Sequence, residues 1–174
     1  MRVAGETGID TKNILSRLLK VLTEQPKDAA MSDSVHLLRE NFDHYTWVGV
    51  YLVQGAKLVL AAYYGDGETE HTTIPIGEGI CGFAAKSGET IIVADVSKDP
   101  RYLMCFPSTR SEIFVPILGR KSVLGEIDID SDRLAAFTPT DKELLEGGAK
   151  QIAFYLENPA TTTPAASIGW ETQG

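Results

Sequence analysis

The chain has 174 residues, enough for one domain with a real core and too few for two. Its 43% hydrophobic and 23% charged residues describe an ordinary soluble globular protein, and a net charge of -8 argues against nucleic acid or an anionic membrane surface as partner. No apolar run approaches the roughly 20 residues that span a bilayer, and the opening MRVAGETG lacks the apolar stretch of a signal peptide, so residence in the cytoplasm is expected.

Residues 1–10 read as a flexible N-terminus, with Asp10 or Thr11 capping a first helix whose Ile14, Leu15, Leu18, Leu19 and Leu22 recur at helical spacing. Pro26 stops it. A second helix from Asp28 to Asn41 places Met31, Val35, Leu38 and Phe42 on one stripe. The period then changes to that of strands, at Tyr45–Val53 and Lys57–Tyr64 around a Gln54-Gly55 turn. A short strand near Thr72–Pro75, a short helix over Ile80–Ser87 and a strand at Ile91–Ala94 follow. A long loop then runs from Asp95 to Arg110. The last helix runs from Pro139 to Leu156, with Thr138 as N-cap and Asp141 in its first turn. The order predicts an α+β fold, an antiparallel sheet with helices packed mainly on one face. One domain is expected over residues 11–157, with a flexible C-terminal tail over 158–174.

Between the loop and the last helix lies the most informative segment. Ser111–Ile117 and Val123–Ser131 read as a hairpin closed by a Leu118–Ser122 turn, which brings Glu112 opposite Asp128. Asp128 and Asp130 share one face and Ile127 and Ile129 the other. Strands avoid acids, and like charges across a pair are unfavourable, so something must offset this cluster. A small acidic pocket would raise one carboxyl pKa and leave a proton donor near neutral pH. The alternatives are a solvated strand face or a calcium or magnesium site, although no EF-hand spacing is present. Trp47 and Tyr51 share a strand face with Gly49 between them, which leaves room for a ligand, or they simply fill the core. His36, His44 and His71 show no zinc-ligand spacing, and Gly77 and Gly79 are not followed by the Gly-Lys-Ser/Thr of a phosphate loop.

The two cysteines are too few for a disulfide framework, and a reducing compartment makes them inert, catalytic or redox-responsive. Cys105 sits in a loop, where it is either an attacking thiolate or a partly buried bystander. The acids nearby oppose its ionisation, so a substrate or Arg101 or Arg110 must compensate. Cys81, near a helix N-terminus that favours a thiolate, is either a resolving thiol or a small core residue.

TWVGVY (Thr46–Tyr51), IPIGEGICG (Ile74–Gly82), Asp95-Val96, Cys105, SEI (Ser111–Ile113) and GEIDIDS (Gly125–Ser131), in that order, resemble a GAF domain. Within that fold they resemble the free methionine-(R)-sulfoxide reductases. The resemblance covers roughly residues 30–155 and implies a six-stranded antiparallel sheet around a small enclosed pocket. It implies reduction of free methionine sulfoxide with thioredoxin or another thiol as donor, no cofactor or metal, and a homodimer. Residue by residue, it implies Cys105 as the attacking cysteine and Cys81 as a second cysteine. Glu112, Asp128 and Asp130 would hold and protonate the sulfoxide, and Trp47 and Tyr51 would line its methyl end. The chain departs from the family at His71, where a third cysteine is usual, and at Phe106, where an acid follows the attacking cysteine. Those departures favour an alternative, a ligand-binding or redox-sensing GAF domain without efficient turnover. In a further alternative, the first two helices share their apolar stripes between subunits.

Overall fold

The computed structural model describes residues 10–158, the side chains of Lys27 and Asp28 excepted; the N-terminal segment before residue 10 and the tail beyond 158 lie outside the described residues. Helix α1 (Thr11–Glu24) starts where the Asp10 carboxylate accepts the Asn13 N–H at 3.0 Å, and buries Ile14, Leu18 and Leu22 at four-residue spacing. Pro26 separates it from α2 (Lys27–Glu40). Strands β1 (Trp47–Gln54), β2 (Lys57–Gly65) and β3 (Thr73–Pro75) follow, then α3 (Gly79–Ser87). Gly79 opens α3 at φ +64° and Gly88 closes it at φ +70°, both left-handed conformations that favour glycine. Next come β4 (Ile91–Val93), a 3-10 turn at Val96–Lys98, β5 (Ser111–Leu118), β6 (Val123–Ser131) and α4 (Pro139–Glu157).

The strands form one antiparallel six-stranded sheet in the order β3-β2-β1-β6-β5-β4. Period-two alternation gives that sheet two different faces. Val48, Val50, Ile113, Val115, Ile117, Ile127 and Ile129 form the main core with α1, α2 and α4. The other face carries Trp47, Tyr51 and Phe114, which cluster with Ile80, Cys81 and Ala84 of α3. Three helices thus cover one face, and the single helix α3 covers part of the other.

The β5–β6 register corrects one expectation. Glu112 lies opposite Asp130, and Asp128 lies opposite Phe114. The turn closes at Leu118–Val123 instead of Leu118–Ser122, and Leu124 stands out of register as a bulge. Together these move the pairing by two residues along β6. An even shift keeps every acid on its face and changes only its neighbour.

Candidate active site

Central strand β6 presents three acids in alternation, Glu126, Asp128 and Asp130, and all three face away from the main core. On one flank they meet Tyr51, Gly49 and Trp47 of β1; on the other, Pro116, Phe114 and Glu112 of β5. All four carboxyls are buried: Glu112 is 3% exposed, Glu126 0%, Asp128 4% and Asp130 1%. Burial pushes each of them up from the ordinary carboxylate range. Asp130 retains support as an anion, because the Thr109 hydroxyl donates to its Oδ1 at 2.7 Å. Glu112 faces Asp130, and the charges of Asp130 and Asp128 add to burial in raising it. The Thr109 bond favours the charge on Asp130, so Glu112 is the member of this pair better placed to hold a shared proton.

Sequence reasoning passed over Glu126. It is fully buried, and neither of its oxygens has a hydrogen-bond partner. The Cys81 thiol adjoins it, without the geometry of a hydrogen bond. The alternation that singled out Asp128 and Asp130 extends to Glu126 and was the signal available. Cys81 is 6% exposed, and burial together with Glu126 and Asp128 pushes its thiol well up. The helix N-terminus expected to favour a thiolate does not prevail here.

Two loops roof the acids. Residues 66–72, between β2 and β3, meet residues 99–110, which carry Cys105. The Tyr51 hydroxyl donates to the His71 carbonyl at 2.9 Å, and His71 Nε2 lies 3.3 Å from the Met104 carbonyl. Phe106 packs on Trp47 with ring centres 5.8 Å apart. Trp47 itself lies over Gly49, where an added Cβ would come within 2.3 Å of the indole. The space expected above Gly49 for a ligand is occupied by this ring, and Gly49 is what lets the ring lie flat.

Beneath the roof is a cavity of about 20 Å³ lined by His71, Ile74, Ile80, Cys81, Tyr102, Leu103, Cys105, Glu112, Phe114 and Asp128. The structure thus brings Cys105, Cys81, Glu112 and Asp128 to one cavity, with Asp130, Trp47 and Tyr51 outside its lining. The volume suits about one water molecule, so an amino acid can bind only when the loops part. A roomier groove of about 630 Å³ lies beside α4, lined by Thr90, Leu118, Lys142, Glu146 and Lys150 among others. It contains no cysteine, and its Glu146 is engaged by Thr90 and Lys142.

Both cysteines are free thiols. Cys105 Sγ donates to the Leu103 carbonyl at 3.7 Å. Burial raises its pKa, and Asp128, Asp130 and Glu112 raise it further. The cationic compensation expected from Arg101 is not there: that guanidinium binds Asp99 at 2.7 Å and lies over the Phe83 ring. Arg110 is exposed. Two unpartnered buried donors, Trp47 Nε1 and Tyr102 Oη, join the unpartnered acceptors Asp128 Oδ1 and Asp130 Oδ2 in this region. Such groups cost free energy unless something bonds them. Among the described residues, no group of three His, Cys, Asp or Glu side chains is arranged to hold a metal ion. Among them, too, no helix is long and apolar enough to cross a membrane.

Comparison with known proteins agrees with this architecture. The GAF domain profile matches residues 27–156. The chain is 35% identical over 149 residues to GAF domain-containing protein A of Dictyostelium discoideum, covering 84% of this chain and 90% of that one. A type II free methionine-R-sulfoxide reductase from Thermoplasma acidophilum superposes with a TM-score of 0.72 at 36% identity, over 81% of this chain and 96% of that one. The free methionine-R-sulfoxide reductase from Neisseria meningitidis, in complex with its substrate, superposes with a TM-score of 0.81 at 32% identity, over 90% and 94%.

Proposed function

The chain belongs to the GAF domain family, and from that premise we propose that it reduces free methionine-(R)-sulfoxide to methionine. The observation that carries this reading is the meeting of Cys105 with Glu112 and Asp128 at one enclosed cavity. A nucleophilic sulfur and a retained proton are the two things this reduction needs. Similarity to reductases of that name supports the choice of substrate.

In the proposed reaction, the loops part and methionine sulfoxide enters. Its ammonium group takes the open oxygens of Asp128 and Asp130. The Cys105 sulfur forms a bond to the sulfoxide sulfur while Glu112 protonates the sulfoxide oxygen. Collapse transfers that oxygen to Cys105 and releases methionine: Cys105–SH + R–S(O)–CH3 → Cys105–SOH + R–S–CH3. A second thiol then condenses with the sulfenic acid, forming a disulfide and water, and a further thiol restores Cys105. The second thiol is Cys81 or an external reductant such as thioredoxin. The proposed setting is the cytoplasm, with two copies paired and residues 11–157 as the working unit.

The test is turnover of free methionine-(R)-sulfoxide with dithiothreitol and with a thioredoxin system, beside the S epimer and a peptide-bound sulfoxide. The R epimer alone should react, and Cys105→Ser should lose at least about a thousand-fold in rate. Absence of turnover from folded protein with either reductant would sink the reading and leave ligand sensing in its place.

A further inference from the structure

The two roof loops meet residue against residue. At one end the Phe106 ring packs on Gly67, 3.3 Å from where a Cβ would stand. At the other, His71 Nε2 reaches the Met104 carbonyl. Thr69, 8% exposed, lies between these contacts as Cys105 lies between Phe106 and Met104. The two therefore face each other across the loops, without the geometry of a hydrogen bond while Cys105 is a thiol. The His71 backbone N–H donates to Thr69 Oγ1 at 3.0 Å. That bond takes an oxygen lone pair and leaves the hydroxyl hydrogen free to donate elsewhere.

Cys105 needs such a donor. As a thiol it donates to the Leu103 carbonyl; as a thiolate it has no hydrogen to give and becomes purely an acceptor. Glu112 from β5 and Asp128 and Asp130 from β6 all oppose the negative sulfur, and Tyr51 from β1 and Tyr102 from its own loop are within electrostatic reach of it. Cys81 of α3 and His71 line the same cavity, and no lysine or arginine does. Hydrogen bonding to the charged form is the remaining way to favour a thiolate here, and Thr69 is placed to supply it.

We propose that Thr69 is a catalytic residue whose hydroxyl donates to the Cys105 thiolate as the nucleophile forms, its oxygen held by the His71 backbone N–H. The assignment rests on the reading of Cys105 as the nucleophile. Thr69 keeps its proton throughout. The thiol proton passes to the carboxyl cluster, which returns one proton to the sulfoxide oxygen, so the cluster ends as it began. A sequence search for ionisable partners passes over this residue, because threonine carries no charge and lies far from Cys105 along the chain.

Thr69→Val and Thr69→Ala remove the hydroxyl, and Thr69→Ser retains it. Alkylation of Cys105 by iodoacetamide, followed across pH by peptide mass spectrometry, reads thiolate formation directly; sulfoxide turnover is measured on the same preparations. Both non-donor variants should alkylate about ten-fold more slowly near pH 8, with the rate profile displaced upward by about one pH unit. Thr69→Ser should stay within about three-fold of wild type. Wild-type alkylation in a folded non-donor variant overturns the assignment, whatever turnover does. So does a loss that Thr69→Ser shares equally, since that points to packing. Slowed alkylation in a protein that never turns over sulfoxide keeps the donor and removes the reductase reading instead.

Discussion

Glu126 has nowhere to put a charge. With both oxygens unpartnered at full burial, it is folded as a neutral acid, and Glu112, Asp128 and Asp130 are shifted in the same direction. An acid whose folded pKa exceeds its unfolded value binds more protons in the folded state. Its contribution is fully present below the unfolded pKa and is lost as pH rises through the folded one. The ligand-free protein should therefore be more stable near pH 5 than near pH 8, by about 1.4 kcal/mol for each pH unit over which one proton's difference persists. Urea melts across that range measure it, and Glu126→Gln should flatten the slope; a flat wild-type profile would contradict the argument. Asp128 and Asp130 of β6 were legible in the sequence because alternation exposes them. Glu126 was passed over although the same alternation reaches it, and the partners of these acids were not legible. Glu112 and Asp128 looked like the facing pair until the turn closing at Leu118–Val123 and the bulge at Leu124 together placed Asp130 there. Thr69 and Tyr102 come from loops whose convergence no periodicity encodes.

At the scale of elements, α4 has the clearest chemical reason for where it begins. Thr138 Oγ1 and the Asp141 carboxylate form a capping box, and Asp141 Oδ1 also takes the Tyr45 hydroxyl at 2.9 Å and His44 Nε2 at 2.8 Å. Burial works against the Asp141 charge, yet the bonds from His44, Thr138 and Tyr45 prevail and hold its pKa down at about 2. This acid has the opposite sign to the pocket acids: its contribution is present above the unfolded pKa near 4 and disappears as pH falls through about 2. Asp141→Ala should destabilise the fold by about 2–3 kcal/mol at neutral pH, less at pH 3, with Cys105 alkylation unchanged. Equal destabilisation at both pH values would show that the cap's charge is not what matters. Thr138 and Asp141 announced this cap in the sequence; Tyr45 and His44, almost a hundred residues away, did not.

The whole molecule is one sheet asked to satisfy two incompatible faces. Valines and isoleucines bind three helices on one side, and that side alone carries the larger core. The other side holds carboxyls, unpartnered donors and a cavity too small for an amino acid. A ligand that pairs those groups should stabilise the entire fold. Methionine sulfoxide at a hundred times its dissociation constant should add about 2.7 kcal/mol, read as a rise of several degrees in Tm. Unchanged Tm at saturating ligand would speak against binding to the folded state. The sheet's outermost strands have a separate consequence. β3 and β4 are only three residues long, so neither edge strand by itself offers a long run of unpaired backbone groups along which a foreign strand could extend the ladder. Edge strands this short are one of the means by which a sheet is guarded against edge-to-edge polymerisation.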